Sequence, residues 1–353
     1  MMNLYENPLY TEDLAAAGQL PLPWEKLAGK TLALTGATGL LGSFLTDVLM
    51  EKNRKDGLGC TVYALGRSRE RAMARFSAWE GDPLFRFAVC DVNEPFAGEG
   101  IEAADFVLHM ASNTHPLQYA TDPIGTITAN ILGLRHMLDF ALAHGCGRFA
   151  FASSNEVYGE NRGDAELFDE DYCGYINCNT LRAGYPESKC CGEALCQAYR
   201  QQKGMDIVIP RFTRSYGPTM LMSDSKAISQ FIKKALAGED IVLKSAGTQY
   251  YSYTYAADAV GGLLTILLKG ADGEAYNIAD EQSDITLRDL AGTLADLSGG
   301  KVVFELPDST EAAGYSKATK ARLSGDKLKA LGWKPGYDIR SGLERTLQVL
   351  GHE

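Results

Sequence analysis

Short apolar segments alternate with longer amphipathic segments along the first two thirds of the chain. The short segments are rich in β-branched and aromatic side chains, which is typical of strands. They are predicted as strands at 31–35, 61–65, 85–89, 106–109, 148–152 and 207–211. Helices are predicted between them, with 40–52 and 187–202 the clearest. Apolar strands separated by helices indicate a parallel sheet covered on both faces. We therefore predict an α/β fold with a Rossmann-type, doubly wound parallel sheet.

The pattern becomes less regular after residue 211. Helices are expected at 228–237, 287–297 and from 327 onward, with short strands at 241–244, 250–255, 275–278 and 302–305. We expect residues 1–27 to form an N-terminal extension and residues 28–211 to form the dinucleotide-binding domain. Residues 241–269 are expected to return to that domain. The remainder, 212–240 and 270–353, is predicted to form a smaller α/β substrate-binding lobe.

The composition limits the kinds of molecule that we expect this protein to bind. The chain has 353 residues, with 34 Lys plus Arg against 45 Asp plus Glu, and a formal charge of −11. This balance disfavours nucleic acid and anionic membranes, which both bind basic surfaces. The apolar stretch 256–268 is too short for a bilayer, and residues 1–10 lack the basic start of a secretory signal. Eight scattered cysteines and five histidines favour free thiols, no metal site and a cytoplasmic location.

The strongest local motif is a glycine-rich loop placed where a strand ends and a helix begins. Gly36 permits the tight turn, Gly39 lets the backbone approach a pyrophosphate, and Gly42 lets helix and strand pack closely. Backbone amides at the helix N-terminus then face the phosphate charge. The predicted cofactor contacts in this loop are Gly36, Thr38, Gly39, Leu40, Leu41 and Gly42.

The ends of the second and third strands bear on which dinucleotide is bound. An acidic residue after the second strand would bind the ribose 2′-hydroxyl of NAD, but Arg67 occupies that region. Arg67 can bind a 2′-phosphate or stack on adenine, so NAD is expected and NADP is not excluded. Asp91, followed by Val92, is placed to accept a hydrogen bond from the adenine amino group.

A catalytic site is predicted from three residues. Tyr185 and Lys189 are four residues apart and so share one helix face. A lysine ammonium there can lower the pKa of the tyrosine, so that the phenolate takes a proton from a substrate hydroxyl. Ser154, at a strand end, can hydrogen-bond the same hydroxyl. A core tyrosine with a solvated lysine has the same spacing, so the hypothesis depends on the three motifs together.

The motifs together resemble those of the extended short-chain dehydrogenases/reductases, the NAD-dependent nucleotide-sugar epimerase/dehydratase group. The matching motifs are the glycine loop, 109–112, 128–133, 153–159, Tyr185xxxLys189, Arg211 and 216–218. This resemblance implies a nicotinamide cofactor that transiently oxidises a sugar carbon, usually C4, in a homodimeric enzyme. Tyr185 would be the base, and Lys189 its pKa partner and ribose contact. Further cofactor contacts are implied at Met110, Ala111, Ser112 and Asn130.

Within that group, two segments resemble the UDP-glucuronate decarboxylases in particular. Glu156, just before Val-Tyr-Gly, resembles their auxiliary acid/base, and 172–189 resembles their approach to the tyrosine. The 4,6-dehydratases have an Asp-Glu pair where this chain has Asn155-Glu156, which argues against that reaction. The expected substrate contacts are Asn113, Glu156, Arg182, Arg214 and Tyr251.

Two substitutions depart from the decarboxylases. Tyr251 stands where they have a substrate-binding arginine, and Arg214 stands where an asparagine is usual. Losing a guanidinium removes a charge-assisted contact worth about 1.5–3 kcal/mol. Either Arg214 supplies that charge or the substrate differs, so a nucleotide-sugar 4-epimerase remains the alternative. A non-catalytic dinucleotide-binding sensor or scaffold is disfavoured, because Tyr185 and Lys189 are both retained.

Overall fold

The computed structural model describes residues 4–305 and 319–351, in which strands and helices alternate. The strands are β1 Thr31–Thr35, β2 Thr61–Gly66, β3 Phe85–Val89, β4 Phe106–His109, β5 Arg148–Phe151, β6 Ser153–Ser154, β7 Ile207–Phe212, β8 Arg214–Tyr216, β9 Ile241–Leu243, β10 Tyr250–Tyr255, β11 Ala275–Ile278, β12 Asp284–Thr286, β13 Val302–Phe304 and β14 Lys320–Ala321. The helices are α1 Pro8–Gly18, α2 Leu40–Asp56, α3 Arg69–Arg75, α4 Pro116–Thr121, α5 Pro123–Ala143, α6 Gly184–Lys203, α7 Ala227–Leu236, α8 Ala256–Lys269 and α9 Leu287–Ser298, followed by Asp326–Lys329 and the C-terminal helix Ile339–Leu350.

The main sheet has the strand order β3-β2-β1-β4-β5-β7-β11, with the short β6 also paired to β7. All of these pairings are parallel. The strand order reverses direction between β1 and β4, so connections from these two strands leave toward opposite faces. This is the switch point at which doubly wound sheets bind ligands beyond their carboxyl ends. The predicted Rossmann-type parallel sheet is confirmed.

Both faces of the main sheet are covered by helices, which explains why most residues of its central strands are apolar. On β1, Leu32 and Leu34 pack in the same core as Phe44 of α2. Ala33, between them, points to the other face and packs in the core that contains Leu134 of α5. Successive strand residues point to opposite faces, so a sheet with helices on both sides needs an apolar residue at each step.

The second lobe is built on two smaller sheets. β10 lies between β12 and β14 and also pairs with β8, and β9 pairs with β13. The expected division of the chain differs from this arrangement in two places. Within 241–269, β9 and β10 lie in the small sheets, and α8 packs against α2 beside the main sheet. Within 270–353, β11 is the edge strand of the main sheet, because its backbone pairs with β7 and not with the lobe.

The N-terminal extension is fixed to the body of the protein by two fully buried carboxylates. Asp13 on α1 accepts hydrogen bonds from the Tyr255 and Tyr337 hydroxyls and forms an ion pair with Arg345 at 2.8 Å. Asp47 on α2 forms an ion pair with Arg75 at 2.5 Å. Its carboxylate also accepts from the side chains of Tyr10, on α1, and of Trp79. A buried charge is costly unless it is paired and hydrogen-bonded, and both of these carboxylates are.

Replacing Arg345 by methionine should destabilise the protein strongly. The change leaves the Asp13 carboxylate buried without its cation, which typically costs about 3–5 kcal/mol of unfolding free energy. Urea unfolding followed by circular dichroism measures the loss. Arg340→Met, at an exposed position of the same helix, is the matched control and should change the midpoint little. Equal midpoints for the two variants would show that the tyrosine hydroxyls alone hold Asp13.

Candidate active site

The glycine loop after β1 forms a close-packed cradle at the start of α2. Gly36 has a φ of +70°, and a Cβ there would lie 2.8 Å from the Met110 carbonyl carbon. A Cβ on Gly42 would meet the Gly36 carbonyl oxygen. Gly39 is the N-cap of α2 and provides no side-chain cap, so amides of the first helical turn stay available to an anion. Thr38, Leu40 and Leu41 are half-buried on this turn.

The residues predicted at the adenine end lie at the carboxyl ends of β2 and β3. Arg67 is exposed and has no ion pair with the residues that the structure describes. Asp91 is exposed, and one of its oxygens accepts from both the backbone and the side-chain amide of Asn93. Val92 packs toward Gly133 of α5, where a Cβ would lie 3.0 Å from the valine methyl.

The segment after β4 is held in place by hydrogen bonds from both sides. The backbone amides of Met110 and Ala111 each donate to the Thr35 hydroxyl at 3.1 Å. Ser112 donates to the side-chain oxygen of the fully buried Asn130 at 2.7 Å.

Two amide side chains connect this segment to the helices beside it. The Asn130 amide donates to Ser188 at 2.9 Å, and Ser188 donates to the Tyr185 carbonyl at 2.8 Å. Both ends of the Asn130 side chain therefore bind protein groups, which tie α5 to the first turn of α6. Asn113 donates weakly to Thr126 at 3.4 Å.

The three predicted catalytic residues come together beneath the carboxyl ends of β5 and β6. The hydroxyl of Tyr185, in the first turn of α6, is hydrogen-bonded to Ser154. Lys189 lies one turn further along the same helix and donates from Nζ to the Ala152 carbonyl at 2.8 Å. Its Nζ is 5.8 Å from the centre of the Tyr185 ring. The four-residue spacing thus places both side chains on one buried face, as predicted.

The electrostatics differ from the expectation that Lys189 lowers the pKa of Tyr185. Burial raises the tyrosine pKa above its ordinary value, and the nearby Glu156 carboxylate raises it further. The hydrogen bond from Ser154 and the positive charge of Arg182 oppose this shift. Burial also lowers the pKa of Lys189 to about 7. Removal from water disfavours the charged form of either group, and it is the largest cause of both shifts.

Glu156 and Arg182 form an ion pair beside the tyrosine. The Arg182 Nη2 lies 2.7 Å from the Glu156 Oε1, and both side chains are largely buried. The guanidinium also lies over the ring of Tyr119, 4.8 Å from its centre. Tyr119 in turn stacks on Tyr185 with 4.9 Å between ring centres, and the two hydroxyls are hydrogen-bonded. The candidate acid/base and the candidate base are therefore connected through one aromatic ring.

A cleft opens beside this cluster. Among its lining residues are Glu156, Tyr175, Asn177, Arg182, Arg214 and Ala321. Arg214 on β8 projects across to β10, where its guanidinium stacks on the Tyr251 ring at 3.5 Å. Of the expected substrate contacts, Glu156, Arg182 and Arg214 line this cleft, and Tyr251 lies directly beneath Arg214. Asn113 is not among the lining residues.

Two residues of the site were not predicted from the sequence. Tyr119 is on α4, far from the YxxxK motif in sequence, and its contact with Tyr185 depends on how the helices pack. Asn155 follows Ser154, and its side-chain oxygen accepts from the Arg214 Nη1 at 3.0 Å while its amide donates to the Phe212 carbonyl. The sequence contained one signal for the position of Tyr119. Pro116 begins α4 soon after the end of β4.

This geometry agrees with comparisons to known proteins. The model of the NAD dependent epimerase/dehydratase family matches residues 32–279 of the chain. The chain belongs to this family. Membership of one family explains why the glycine cradle, the switch point and the Tyr-Lys helix occur together in this chain.

Individual family members add detail. UDP-glucuronic acid decarboxylase 3 of Arabidopsis thaliana is 32% identical over 312 residues, which cover 88% of this chain and 86% of that protein. The crystal structure of a double mutant of DesIV, a dTDP-glucose 4,6-dehydratase from Streptomyces venezuelae with NAD bound, is 25% identical with a TM-score of 0.78. It covers 90% of this chain, and 96% of DesIV is matched. A UDP-glucuronic acid 4-epimerase from Bacillus cereus, at 22% identity and a TM-score of 0.77 over 91% of this chain and 98% of its own, shares the fold.

The described residues also show whether other kinds of site are present. Within 4–305 and 319–351, no three histidine, cysteine or acidic side chains are grouped so that they could hold a metal ion. No helix in the same ranges has the length and apolar character needed to cross a bilayer. All eight cysteines are free thiols, as the sequence predicts.

Tyr119→Phe should lower kcat about three- to tenfold, because the ring stack remains and one neutral hydrogen bond to Tyr185 is lost. Steady-state kinetics on a nucleotide sugar measures the effect. Tyr199→Phe, which removes an exposed hydroxyl bound to Asp139, is the matched control. The two variants should have similar melting temperatures. An unchanged kcat for Tyr119→Phe would show that its hydroxyl takes no part in the reaction.

The low pKa of Lys189 predicts a pH dependence of stability. An unfolded lysine has a pKa of about 10.4, so from about pH 7 upward the unfolded chain binds a proton that the folded chain has released. The free energy of unfolding should therefore rise with pH, by up to about 1.4 kcal/mol per pH unit from this group.

Urea unfolding of nucleotide-free protein at pH 7, 8 and 9 tests this prediction. Lys189→Met should lack the rise relative to the unmodified protein, since it has no proton to release. Lys203→Met, at an exposed position at the end of the same helix, should retain it. Parallel curves for the unmodified protein and Lys189→Met would mean that Lys189 stays protonated in the fold.

Proposed function

We propose that this protein decarboxylates a UDP-linked hexuronate, UDP-glucuronate, through transient oxidation at C4. The observation that carries the proposal is the contact of Tyr185, through the stacked Tyr119 ring, with the Glu156–Arg182 ion pair, which lines the cleft beside it. A C4 oxidation needs a base at the hydroxyl, and the following step needs a second proton carrier. The relatives of about 31–32% identity are named UDP-glucuronic acid decarboxylases, which supports this choice of substrate.

The glycine cradle fits a dinucleotide. The close approach of Gly36 and Gly42 to neighbouring backbone leaves no space for side chains, and the first turn of α2 offers unpaired amides to a pyrophosphate. Residues of this turn, with Asp91 and Val92 at the adenine end, would hold NAD. Met110, Ala111 and Ser112 would lie along its length, and Lys189 would contact the ribose. When bound, NAD supplies the acceptor for the C4 hydride and later its donor.

Different residues of the chain then carry out the separate proton transfers. In its phenolate form, Tyr185 accepts the proton of the C4 hydroxyl while Ser154 hydrogen-bonds that oxygen. The resulting C4 ketone can accept an electron pair, so the bond from C5 to the carboxylate breaks and CO₂ leaves. Glu156 takes up a proton from solvent through the cleft and delivers it to C5, where it replaces the bond lost with CO₂. Tyr185 returns its proton to the C4 oxygen as the ketone is reduced. Arg182 holds the Glu156 carboxylate at the cleft wall.

Tyr251 is the observation that favours a second candidate, a nucleotide-sugar 4-epimerase. The ring occupies the position at which the resembled decarboxylases have an arginine, and epimerisation needs no loss of CO₂. In that reaction Tyr185 and Ser154 keep their roles, and the ketone is reduced from its other face. Glu156 and Arg182 would then only shape the cleft.

Cofactor choice and assembly are further parts of the proposal. The exposed Arg67 leaves NADP as an alternative to NAD, and chromatography of the nucleotide released by denaturation distinguishes them. A homodimer is supported by apolar side chains on the outer face of α5, where Ile124 and Leu132 are 75% and 45% exposed. Sedimentation of the purified protein tests this, and a monomer at micromolar concentration would reject it.

Incubation of the purified protein with NAD and UDP-glucuronate, read by mass spectrometry, tests the reaction. A product lighter by about 44 mass units, the mass of CO₂, is expected from the decarboxylation step. A product of unchanged mass but altered chromatographic retention would instead support the epimerase. Parallel incubations with UDP-glucose and UDP-galactose determine whether the carboxylate is needed for turnover.

Tyr185→Phe should reduce turnover by at least about 10²-fold, the usual scale for a lost general base. The ring stack on Tyr119 and the fold are retained, so the content of bound cofactor should stay the same. Absorbance of the bound nucleotide and steady-state kinetics provide the two readouts. Near-normal turnover of the variant would show that another group takes the hydroxyl proton.

A further inference from the structure

The cleft beside the catalytic tyrosine contains two guanidinium groups with different partners. Arg182 is neutralised by Glu156 at 2.7 Å. Arg214 forms no ion pair with any carboxylate among residues 4–305 and 319–351, although it is only partly exposed. The contacts that the structure gives it are the Tyr251 ring and the neutral side chain of Asn155. A half-buried cation without a counter-charge at a substrate cleft is placed to receive an anion.

The position of Arg214 is determined by its strand. β8 pairs with β10 in parallel, with Arg214 opposite Tyr253. Tyr251 is two residues earlier on β10 and so points to the same face as Tyr253. The flat guanidinium stacks on its ring at 3.5 Å, and Asn155 accepts from one of its terminal nitrogens. The remaining N–H groups of the guanidinium stay available to a ligand, and the stack holds their plane before the ligand arrives.

We propose that Arg214 binds the carboxylate of the sugar, so that this chain places on β8 the positive charge that the resembled decarboxylases place on β10. The inference rests on the proposed function, because it needs a hexuronate substrate. Asn155 follows directly on Ser154, whose hydroxyl bonds Tyr185, so Arg214 lies near the reacting carbons. A nucleotide pyrophosphate would lie further from them. Tyr251 serves as the neutral support that orients the guanidinium.

The sugar carboxylate and the nucleotide pyrophosphate are the two anions available to Arg214, and a comparison of ligands distinguishes them. Titration calorimetry on the NAD-loaded Tyr185→Phe protein, whose turnover should be at least about 10²-fold slower, would use UDP-glucuronate, UDP-glucose and UDP. Arg214→Met in that background should weaken UDP-glucuronate binding about 10- to 100-fold, the scale of a lost charge-assisted contact. Binding of UDP-glucose and UDP should stay within about threefold, since they lack the carboxylate.

Two further variants complete the experiment. Arg214→Lys keeps the charge but not the planar fork, so its loss of UDP-glucuronate affinity should be smaller than that of Arg214→Met. It also covers the case in which Arg214→Met fails to fold, which a melting curve shows directly. Arg288→Met is the matched control, because Arg288 also lies over an aromatic ring, Phe304, but not in this cleft. It should leave all three affinities unchanged.

The possible outcomes separate this inference from the proposed function. Selective loss for UDP-glucuronate supports the carboxylate assignment. Equal loss for all three ligands overturns it in favour of the pyrophosphate, while UDP-glucuronate remains the substrate. If Arg214→Met binds all three ligands as tightly as the parent protein does, the carboxylate assignment is overturned as well. If the parent protein binds UDP and UDP-glucose but not UDP-glucuronate, the proposed function fails and the inference fails with it.

Discussion

The parallel pairing of β1 with β4 is the constraint on which the rest of the site depends. Because these two strands run side by side and their connections leave toward opposite faces, an open crevice must form beyond their carboxyl ends. The glycine cradle follows β1, and the segment from Met110 to Ser112 follows β4, so both lie at this crevice. The next strand in the sheet, β5, leads through β6 to Ser154. One sheet edge thus gathers groups that are more than a hundred residues apart in sequence.

Burial then determines the chemistry available at that edge. Tyr185 and Lys189 are withdrawn from water on one face of α6, which raises the pKa of the tyrosine and lowers that of the lysine. Burial leaves both groups poorly screened by water, so charge brought close by a ligand would have a large effect on both pKa values. Glu156 would oppose a phenolate, and Arg182 offsets it from 2.7 Å away. The ion pair therefore lowers the electrostatic cost of placing a carboxylate beside the tyrosine that we propose as the base.

The second lobe is held to this edge by the termini of the chain. Asp13 of α1 binds Tyr255 at the end of β10, and it also binds Tyr337 and Arg345 near the C-terminus. β10 is the strand that carries Tyr251 under the Arg214 guanidinium. A fully buried carboxylate in the N-terminal extension thus fixes one end of the strand that supports the cleft. This arrangement gives the extension a structural role in the site, although none of its residues lines the cleft.

The sequence by itself determined the strands of the main sheet, the glycine cradle and the shared helix face of Tyr185 and Lys189. Each depends on residues close together in the chain, where periodicity and turn chemistry act directly. The tertiary structure alone decided that β11 joins the main sheet, that Tyr119 contacts Tyr185, and that Arg214 lies over Tyr251. These features depend on which backbone edge pairs with which and on how deeply a side chain is buried. Both follow from contacts between distant segments, which no local pattern records.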